Sequence, residues 1–151
     1  MIFADLELSR RLEHAEGQAC LEHAKARNRL FPDSGACWME CAGAYVVFDG
    51  IDSPVTQTFG LGVFEKPTAR SLDTIEEFFL DRRAPVFHEV SPFAGVDTLA
   101  LLCQRKYQPV ETSTVLFQPV EGPLHQKDDK IHVRTAAPSE AQLWSDVATK
   151  G

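Results

Sequence analysis

The segment from residue 55 to residue 120 constrains the fold more than any other part of the chain. Short apolar runs rich in β-branched and aromatic residues alternate in it with two longer runs whose apolar residues recur at helical spacing. The order is strand, helix, strand, helix, strand, with short connections of the kind found inside one compact domain. The segment therefore predicts an α/β (α+β) fold, a mixed and mostly antiparallel sheet flanked by helices.

Three strands are predicted in this segment, at residues 55–64, 85–90 and 110–120. Gly60 and Gly62 share one side of the first strand, which usually marks a bulge or a neighbour lying close against the backbone. In the last strand, Val115 and Phe117 are expected to face the same way.

Two amphipathic helices are predicted between these strands. Thr68 or Ser71 caps the first helix. Its buried stripe consists of four apolar residues, Leu72, Ile75, Phe78 and Phe79. Asp97 is expected to cap the second helix. The apolar side of that helix is predicted to carry Leu99, Leu102 and Cys103.

The part of the chain before residue 55 predicts a long helix and a strand. Residues 5–30 form one helix, or two joined near Gly17, and Pro32 ends it. Five residues define its expected apolar side, Leu8, Leu12, Ala15, Ala19 and Ala26. Residues 36–48 predict one buried strand with a bulge at Gly43, which pairs antiparallel with the strand that follows it.

The composition changes after residue 120. Residues 121–130 (EGPLHQKDDK) are polar and charged, which is typical of a linker. Residues 131–134 predict a new strand, and Pro138 opens a helix that carries Leu143, Trp144 and Val147. The predicted organisation is a domain over residues 1–120, a linker over 121–130, and the start of a second, truncated domain over 131–151.

Charge and hydropathy exclude several classes of protein. The formal net charge of −7 argues against sequence-independent binding of nucleic acid, which needs a basic surface. No apolar run approaches the roughly 20 residues that span a bilayer, and the N-terminal residues do not resemble a signal peptide. We therefore expect a cytoplasmic protein without a membrane partner, whose four cysteines are reduced.

Five stretches of the chain are similar to a known family, residues 60–62 (GLG), 75–79 (IEEFF), 89–94 (EVSPFA), 99–102 (LALL) and 107–111 (YQPVE). In these stretches the chain resembles the first half of bacterial proteins that carry two acetyltransferase domains of the GNAT family in tandem. The resemblance implies a GNAT-like domain over residues 1–120. It also implies that residues 131–151 are the first strand and helix of a second such domain.

GNAT enzymes transfer an acyl group from coenzyme A to an amine. The resemblance implies acetyl-CoA as cofactor and a small-molecule amine or acyl-CoA as the ligand of the parent protein. In such enzymes the amine attacks the thioester directly while backbone donors stabilise the oxyanion. A helix N-terminus binds the cofactor's pyrophosphate. The residues that the resemblance places at the cofactor are Val63, Phe64, Thr68, Arg70 and Ser71.

Two departures from the family's pattern predict that this half lacks the chemistry. The family's phosphate loop reads Gln/Arg-x-x-Gly-x-Gly/Ala, whereas residues 65–71 contain no glycine, and Pro67 removes an N–H donor. Many members place a tyrosine four residues before a Gly-aromatic pair, where it protonates the leaving thiolate. Here Leu102 takes the tyrosine's place and Lys106 and Tyr107 take the pair's, so no residue is assigned a catalytic role.

Other candidate sites are weaker. His88 and Glu89 lie near where an amine would approach in this fold, but neighbouring strand residues face opposite sides. His14, Cys20 and His23 have a metal-like spacing that no Cys-x-x-Cys pair accompanies, so no metal is predicted.

The remaining cysteines and serines favour structural roles. Cys37 and Cys41 share a strand face but lie too far apart along it for a disulfide. Cys103 is predicted to be a core residue. Ser91 and Ser113 lack the Gly-x-Ser-x-Gly context of a nucleophile.

Three functional hypotheses follow from these patterns. The leading one is the N-terminal, non-catalytic half of a GNAT-type acyltransferase, which binds a substrate or a partner. The second is an interaction module without cofactor, whose sheet edges or apolar helix face build a homodimer. The third is an active single-domain acetyltransferase with a degenerate phosphate loop.

Overall fold

The computed structural model describes residues 4–118, 132 and 134–150, and the chain divides into two compact units, Met1–Glu111 and Thr112–Gly151. The first unit combines helices with a small antiparallel sheet of three strands, so the α+β class is confirmed. Its elements in chain order are α1 (Leu6–Leu30), β1 (Cys37–Cys41), β2 (Ala44–Phe48), β3 (Gln57–Phe59), α2 (Ala69–Leu80) and α3 (Val96–Gln104). No helix among the described residues is long and apolar enough to cross a membrane.

Helix α1 is the single long helix that the N-terminal pattern predicts. The Asp5 carboxylate caps it by accepting a hydrogen bond from the Leu8 N–H at 2.8 Å. The helix ends before Pro32, where a short 3-10 turn begins, and Gly35 follows that turn with a φ of 71°.

The buried face of α1 differs from the predicted one. Ala15 and Ala19 are exposed, and the buried residues of the helix are Ser9, Gly17, Leu21 and Ala24. The reason lies at Gly17, where an added Cβ would lie 2.3 Å from Cδ2 of Tyr45. The missing side chain lets the aromatic ring pack directly on the helix backbone, and this contact decides which side of α1 meets the sheet.

The predicted single strand over residues 36–48 is wrong, because the chain folds back within it. Ala42 and Gly43 both have positive φ, 50° and 71°, and form a two-residue turn between β1 and β2. Turns with two positive φ values match the twist of a hairpin. The two strands pair antiparallel, with Cys41 opposite Ala44 next to the turn.

Strand β3 pairs antiparallel with β2, as predicted, but it is much shorter than residues 55–64. The chain leaves the sheet at Gly60, which has a φ of 75°, and Gly62 follows with a φ of 80°. An added Cβ at Gly62 would lie 2.5 Å from Oγ1 of Thr98. The close neighbour that the two glycines predict is therefore a residue of helix α3.

Helix α2 agrees with the prediction in its cap and in its buried stripe. Thr68 caps it, and the buried residues are Leu72, Ile75, Phe78 and Phe79. They pack with Ala44, Val46 and Phe48 of β2 on one face of the sheet. On the other face, Tyr45, Val47 and Phe59 pack against α1. Burying each large apolar side chain stabilises the fold by about 1.5–3 kcal/mol.

The segment 85–90 does not form the predicted strand and contributes only an isolated parallel bridge, between Thr58 and His88. Helix α3 follows, but Gly95 and not Asp97 is its N-cap. Of its three predicted apolar residues only Leu102 is buried, whereas Leu99 and Cys103 are exposed. Two backbone hydrogen bonds form the bridge, from the Thr58 N–H to the Phe87 carbonyl at 3.1 Å and from the Glu89 N–H to the Thr58 carbonyl at 2.9 Å.

The predicted strand over residues 110–120 is wrong for residues 110–118, which lie in no strand, with Val115 and Phe117 exposed. The predicted linker 121–130 lies outside the described residues. So do Ile131 and Val133 of the next predicted strand, and its other two residues are not in a strand. The predicted C-terminal helix is present in the second unit as α4 (Ala141–Lys150), preceded by a 3-10 turn at Pro138–Glu140.

Candidate functional site

A cavity of about 370 Å³ opens in the first unit where the chain leaves β3. Three segments line it: the first turns of α1, residues 62–66, and residues 93–98 at the start of α3. Two of the five residues predicted to bind cofactor, Val63 and Phe64, are among its lining residues. Gly62 forms part of the same wall and packs against Thr98. The cavity is thus built between the loop after β3, the start of α3 and the first turns of α1.

The charges around this cavity are balanced. The Arg10 Nε donates to the Val63 carbonyl at 2.9 Å, which ties α1 to the loop after β3. The Lys66 ammonium pairs with the Asp97 carboxylate at 2.5 Å, and this hydrogen bond holds the pKa of Asp97 below its ordinary value. Arg10 and Lys66 line the cavity together with the carboxylates Glu65 and Asp97, so its lining has no excess of either charge.

No group that lines the cavity is prepared for proton transfer or nucleophilic attack. The Thr98 hydroxyl donates to the Ala94 carbonyl at 2.8 Å and so is already engaged. Arg10, Lys66, Glu65 and Asp97 provide charge to the cavity lining. The arrangement is suited to binding.

The other three predicted residues, Thr68, Arg70 and Ser71, do not line the cavity and lie at the start of α2. Thr68 and Ser71 form a capping box: the Ser71 N–H donates to the Thr68 hydroxyl at 3.1 Å, and the Thr68 N–H donates to the Ser71 hydroxyl at 2.7 Å. Two of the N–H donors that would otherwise meet a phosphate are therefore occupied. Arg70 is exposed in the first helical turn.

His88 lies on the α2 side of the sheet and is largely buried. Its Nδ1 hydrogen-bonds with the Thr58 hydroxyl at 2.8 Å, and its ring packs against Tyr107 with centroids 4.7 Å apart. Nε2 is buried without a partner among the described residues. Burial lowers the pKa of His88 to about 4, so the imidazole is neutral at physiological pH.

Glu89 contacts α1 on the opposite face, as the alternation of strand residues predicts. Burial, together with the carboxylates of Glu16 and Glu13, raises the pKa of Glu89 to about 7. The Glu13 carboxylate accepts a hydrogen bond from the Gly60 N–H at 3.0 Å. Close by, the hydroxyls of Ser9 and Ser91 are 2.8 Å apart in a buried pair.

Sequence reasoning missed this group of acidic and hydroxyl side chains. The signal was available, because Ser9, Glu13, Glu16 and Cys20 recur at helical spacing on the same side of α1 as Gly17. Because these side chains are polar, the sequence pattern predicted that the opposite side of α1 would be buried. Ser91, which the sequence left as a weak candidate nucleophile, pairs with a second serine and not with a histidine.

The two histidines with metal-like spacing contact different side chains. His14 Nδ1 lies 2.9 Å from the Tyr45 hydroxyl, and His23 lies 3.5 Å from the Asp49 carboxylate. Among the residues that the structure describes, no three histidine, cysteine or acidic side chains are grouped so as to hold a metal ion. Cys37 and Cys41 share a face of β1, and both are free.

No protein-family model, curated protein or solved structure matches this chain.

Proposed function

We propose that the chain is the N-terminal half of a GNAT-type acyltransferase and that this half binds ligand or partner without performing the transfer. The order of elements in the first unit supports the proposal. Antiparallel strands β1, β2 and β3 are followed by helix α2, then by a segment that bridges parallel to β3 at Thr58 and His88, then by helix α3. GNAT domains have this change from antiparallel to parallel pairing across one helix, and their cofactor lies where the two segments diverge.

The backbone after α3 gives further support. Lys106 has a φ of 67°, a conformation that glycine adopts readily and other residues rarely do. It occupies the place of the glycine in the family's Gly-aromatic pair. Tyr107 follows it and donates from its hydroxyl to Glu76 at 3.0 Å. This backbone conformation is compatible with the motif, although the glycine itself is absent.

The same residues favour loss of catalysis. Leu102 is buried in the core at the place of the family's proton-donating tyrosine, and it has no proton to give. The capping box of Thr68 and Ser71 occupies donors at the helix N-terminus where the family binds pyrophosphate. Without a phosphate cradle and an acid, acyl transfer by this half is not expected.

Calorimetric titration of acetyl-CoA onto the chain tests the proposal. We expect no saturable heat, because the loop over residues 65–71 lacks the glycines that allow close approach to a phosphate. The triple variant Glu65→Arg, Thr68→Gly, Arg70→Gly restores the family's loop pattern and is expected to gain measurable binding. Glu77→Arg, an exposed charge change on the same helix, is the matched control and is expected to give no heat of binding.

Two outcomes would contradict the proposal in different ways. Saturable binding by the unmodified chain that is lost in Arg70→Ala would show a surviving cofactor site and favour an active enzyme. A triple variant that is folded by circular dichroism and still gives no heat would show that the α2 N-terminus is not a pyrophosphate site. That result would remove the basis for the GNAT assignment.

A further inference from the structure

The outer edge of β1 carries an inference that goes beyond the proposed function and does not depend on it. β1 is an end strand of the sheet and pairs with β2 alone. Because Cys41 and Ala44 close a two-residue turn, alternate residues of β1 bond to β2, and the backbone groups of Trp38 and Glu40 point outwards. Within residues 4–118, 132 and 134–150, these outward groups have no hydrogen-bond partner. Such an edge is a template for another strand.

We propose that two copies of this chain pair through β1, antiparallel about a twofold axis at Met39, so that their sheets join into one. The register follows from the outward groups. Trp38 lies opposite Glu40 of the partner subunit in hydrogen-bonded pairs, which the twofold axis repeats. Cys37 then lies opposite Cys41 of the partner subunit in a non-hydrogen-bonded pair.

Charge complementarity on the α1 face of the sheet supports a second copy as the occupant. The Lys25 ammonium lies 5.8 Å from the centroid of the Trp38 ring and 2.8 Å from the Glu22 carboxylate. Glu40 is exposed on the same face and forms no ion pair among the described residues. The proposed register brings Glu40 of the partner subunit beside Trp38 and Lys25. Each edge therefore supplies a cation beside the unpaired Glu40 of the other, in addition to the Lys25 pair with Glu22.

Cys37 and Cys41 lie on the α2 face of the sheet and provide a test of the register between the two copies. Cys37 and Cys41 are both half-buried and free. The Arg82 Nε donates to the Cys37 sulfur at 2.9 Å, and the Cys41 thiol lies 3.6 Å from the Ser71 carbonyl. Cα atoms of a non-hydrogen-bonded antiparallel pair are about 4.5 Å apart, which lies within the reach of a disulfide. Only the register centred on Met39 brings Cys37 and Cys41 of two copies together.

Sedimentation velocity of the full chain over a wide concentration range is the first test. We expect a reversible dimer that Glu40→Pro weakens about tenfold or more. Proline at this position removes an outward N–H and leaves the bonds between β1 and β2 intact. Glu40→Lys is expected to weaken the dimer by reversing the charge beside Lys25. Glu77→Lys, an exposed reversal on α2, is the matched control and is expected to have no effect.

Oxidation with diamide, which removes two hydrogens from a pair of thiols, tests the register in a background where Cys20 and Cys103 are serine. The chain with Cys37 and Cys41 is expected to cross-link. Cys37→Ser alone and Cys41→Ser alone are expected not to, and in a mixture of the two variants each mixed dimer is expected to form one cross-link. A monomer at every concentration, a dimer indifferent to both substitutions at Glu40, or cross-linking within either single variant would overturn the proposal.

Discussion

Replacing Gly62 by alanine is expected to reduce the free energy of unfolding of the first unit by about 3 kcal/mol. The position has a φ of 80°, and a Cβ there would lie 2.5 Å from Oγ1 of Thr98 and 2.8 Å from its Cγ2. Left-handed backbone costs an alanine about 1 kcal/mol, and overpacking adds about 2 kcal/mol. Thr98 is buried and bonded to Ala94, so it has little freedom to move away.

Gly35→Ala is the matched control for this substitution. Gly35 has a φ of 71° but nothing within 4 Å of an added Cβ, so only the backbone cost of about 1 kcal/mol is expected. Urea denaturation followed by far-UV circular dichroism measures both variants. Thr98→Ala combined with Gly62→Ala is expected to recover part of the loss, because the two atoms that clash most are removed. Equal losses in the two glycine variants would show that helix α3 does not pack against Gly62.

Binding at the cavity makes the same substitution informative about function. Gly62, Val63 and Phe64 line the cavity together with the first turn of α3. If acetyl-CoA binds the loop-restored variant, Gly62→Ala in that background is expected to weaken binding more than Gly35→Ala does. The comparison uses two variants with the same backbone strain, so a difference in affinity reports on the cavity wall.

Helix α2 was predictable because every local signal agrees. A capping residue and four apolar residues at helical spacing lie in one short run, and Arg82 and Arg83 follow just after the helix. The sequence predicted the extent of helix α1 equally well, but it did not predict which side of that helix is buried. The apolar residues predicted for that side did not include the buried Leu21 and Ala24. The same side also carries Gly17, which contacts the Tyr45 ring, and Ser9, which contacts Ser91.

The strands were harder, for physical reasons that differ from place to place. Ala42 adopts a positive φ that alanine seldom takes, so the hairpin turn carries only half of the usual signal. Residues 85–90 have strand-like composition but form one bridge, because composition does not determine how many backbone bonds a segment makes. In the same way, residues 110–118 are rich in β-branched residues and yet lie in no strand.

Of the five residues that the resemblance places at the cofactor, Val63 and Phe64 line the cavity, and their role in binding a cofactor stays a prediction. They follow Gly60 and Gly62, the glycines at which the chain turns. The distribution of charge was not accessible, because Arg10 and Asp97 come from elements far apart in the chain. Long-range contacts of this kind require the fold to be known first.

Acidification is expected to destabilise the first unit through His88. Its folded pKa is about 4, below the 6.5 of an unfolded histidine, because the buried ring loses hydration. The unfolded state therefore binds more protons between these values, and stability falls as the pH drops through them. Between about pH 7 and about pH 4.5 this linkage lowers the free energy of unfolding by about 2 kcal/mol. The groups that face the ring are the Thr58 hydroxyl and the Tyr107 ring, neither of which carries charge in this range.

Glu89 is expected to act in the opposite direction, and the two residues are separable. Its folded pKa is about 7, above the ordinary 4.5, so the protonated carboxyl is favoured in the folded state. The stability that this contributes is present below pH 4.5 and is lost as the pH rises through 7. Facing groups are Glu13 and Glu16 of α1, with Cys20. The pKa of Cys20 is raised to about 11 by burial and by the carboxylates of Glu16 and Glu89.

Urea denaturation of single variants over this pH range distinguishes the two effects. His88→Gln, which does not titrate, is expected to flatten the decline of stability on the acid side and to leave the decline above neutrality unchanged. Glu89→Gln is expected to do the reverse, because it keeps a neutral hydrogen-bonding group beside Glu16 at every pH. If stability still declines on the acid side in His88→Gln, protonation of another residue causes that decline. In that case protonation of His88 could not be the cause of the loss of stability at acid pH.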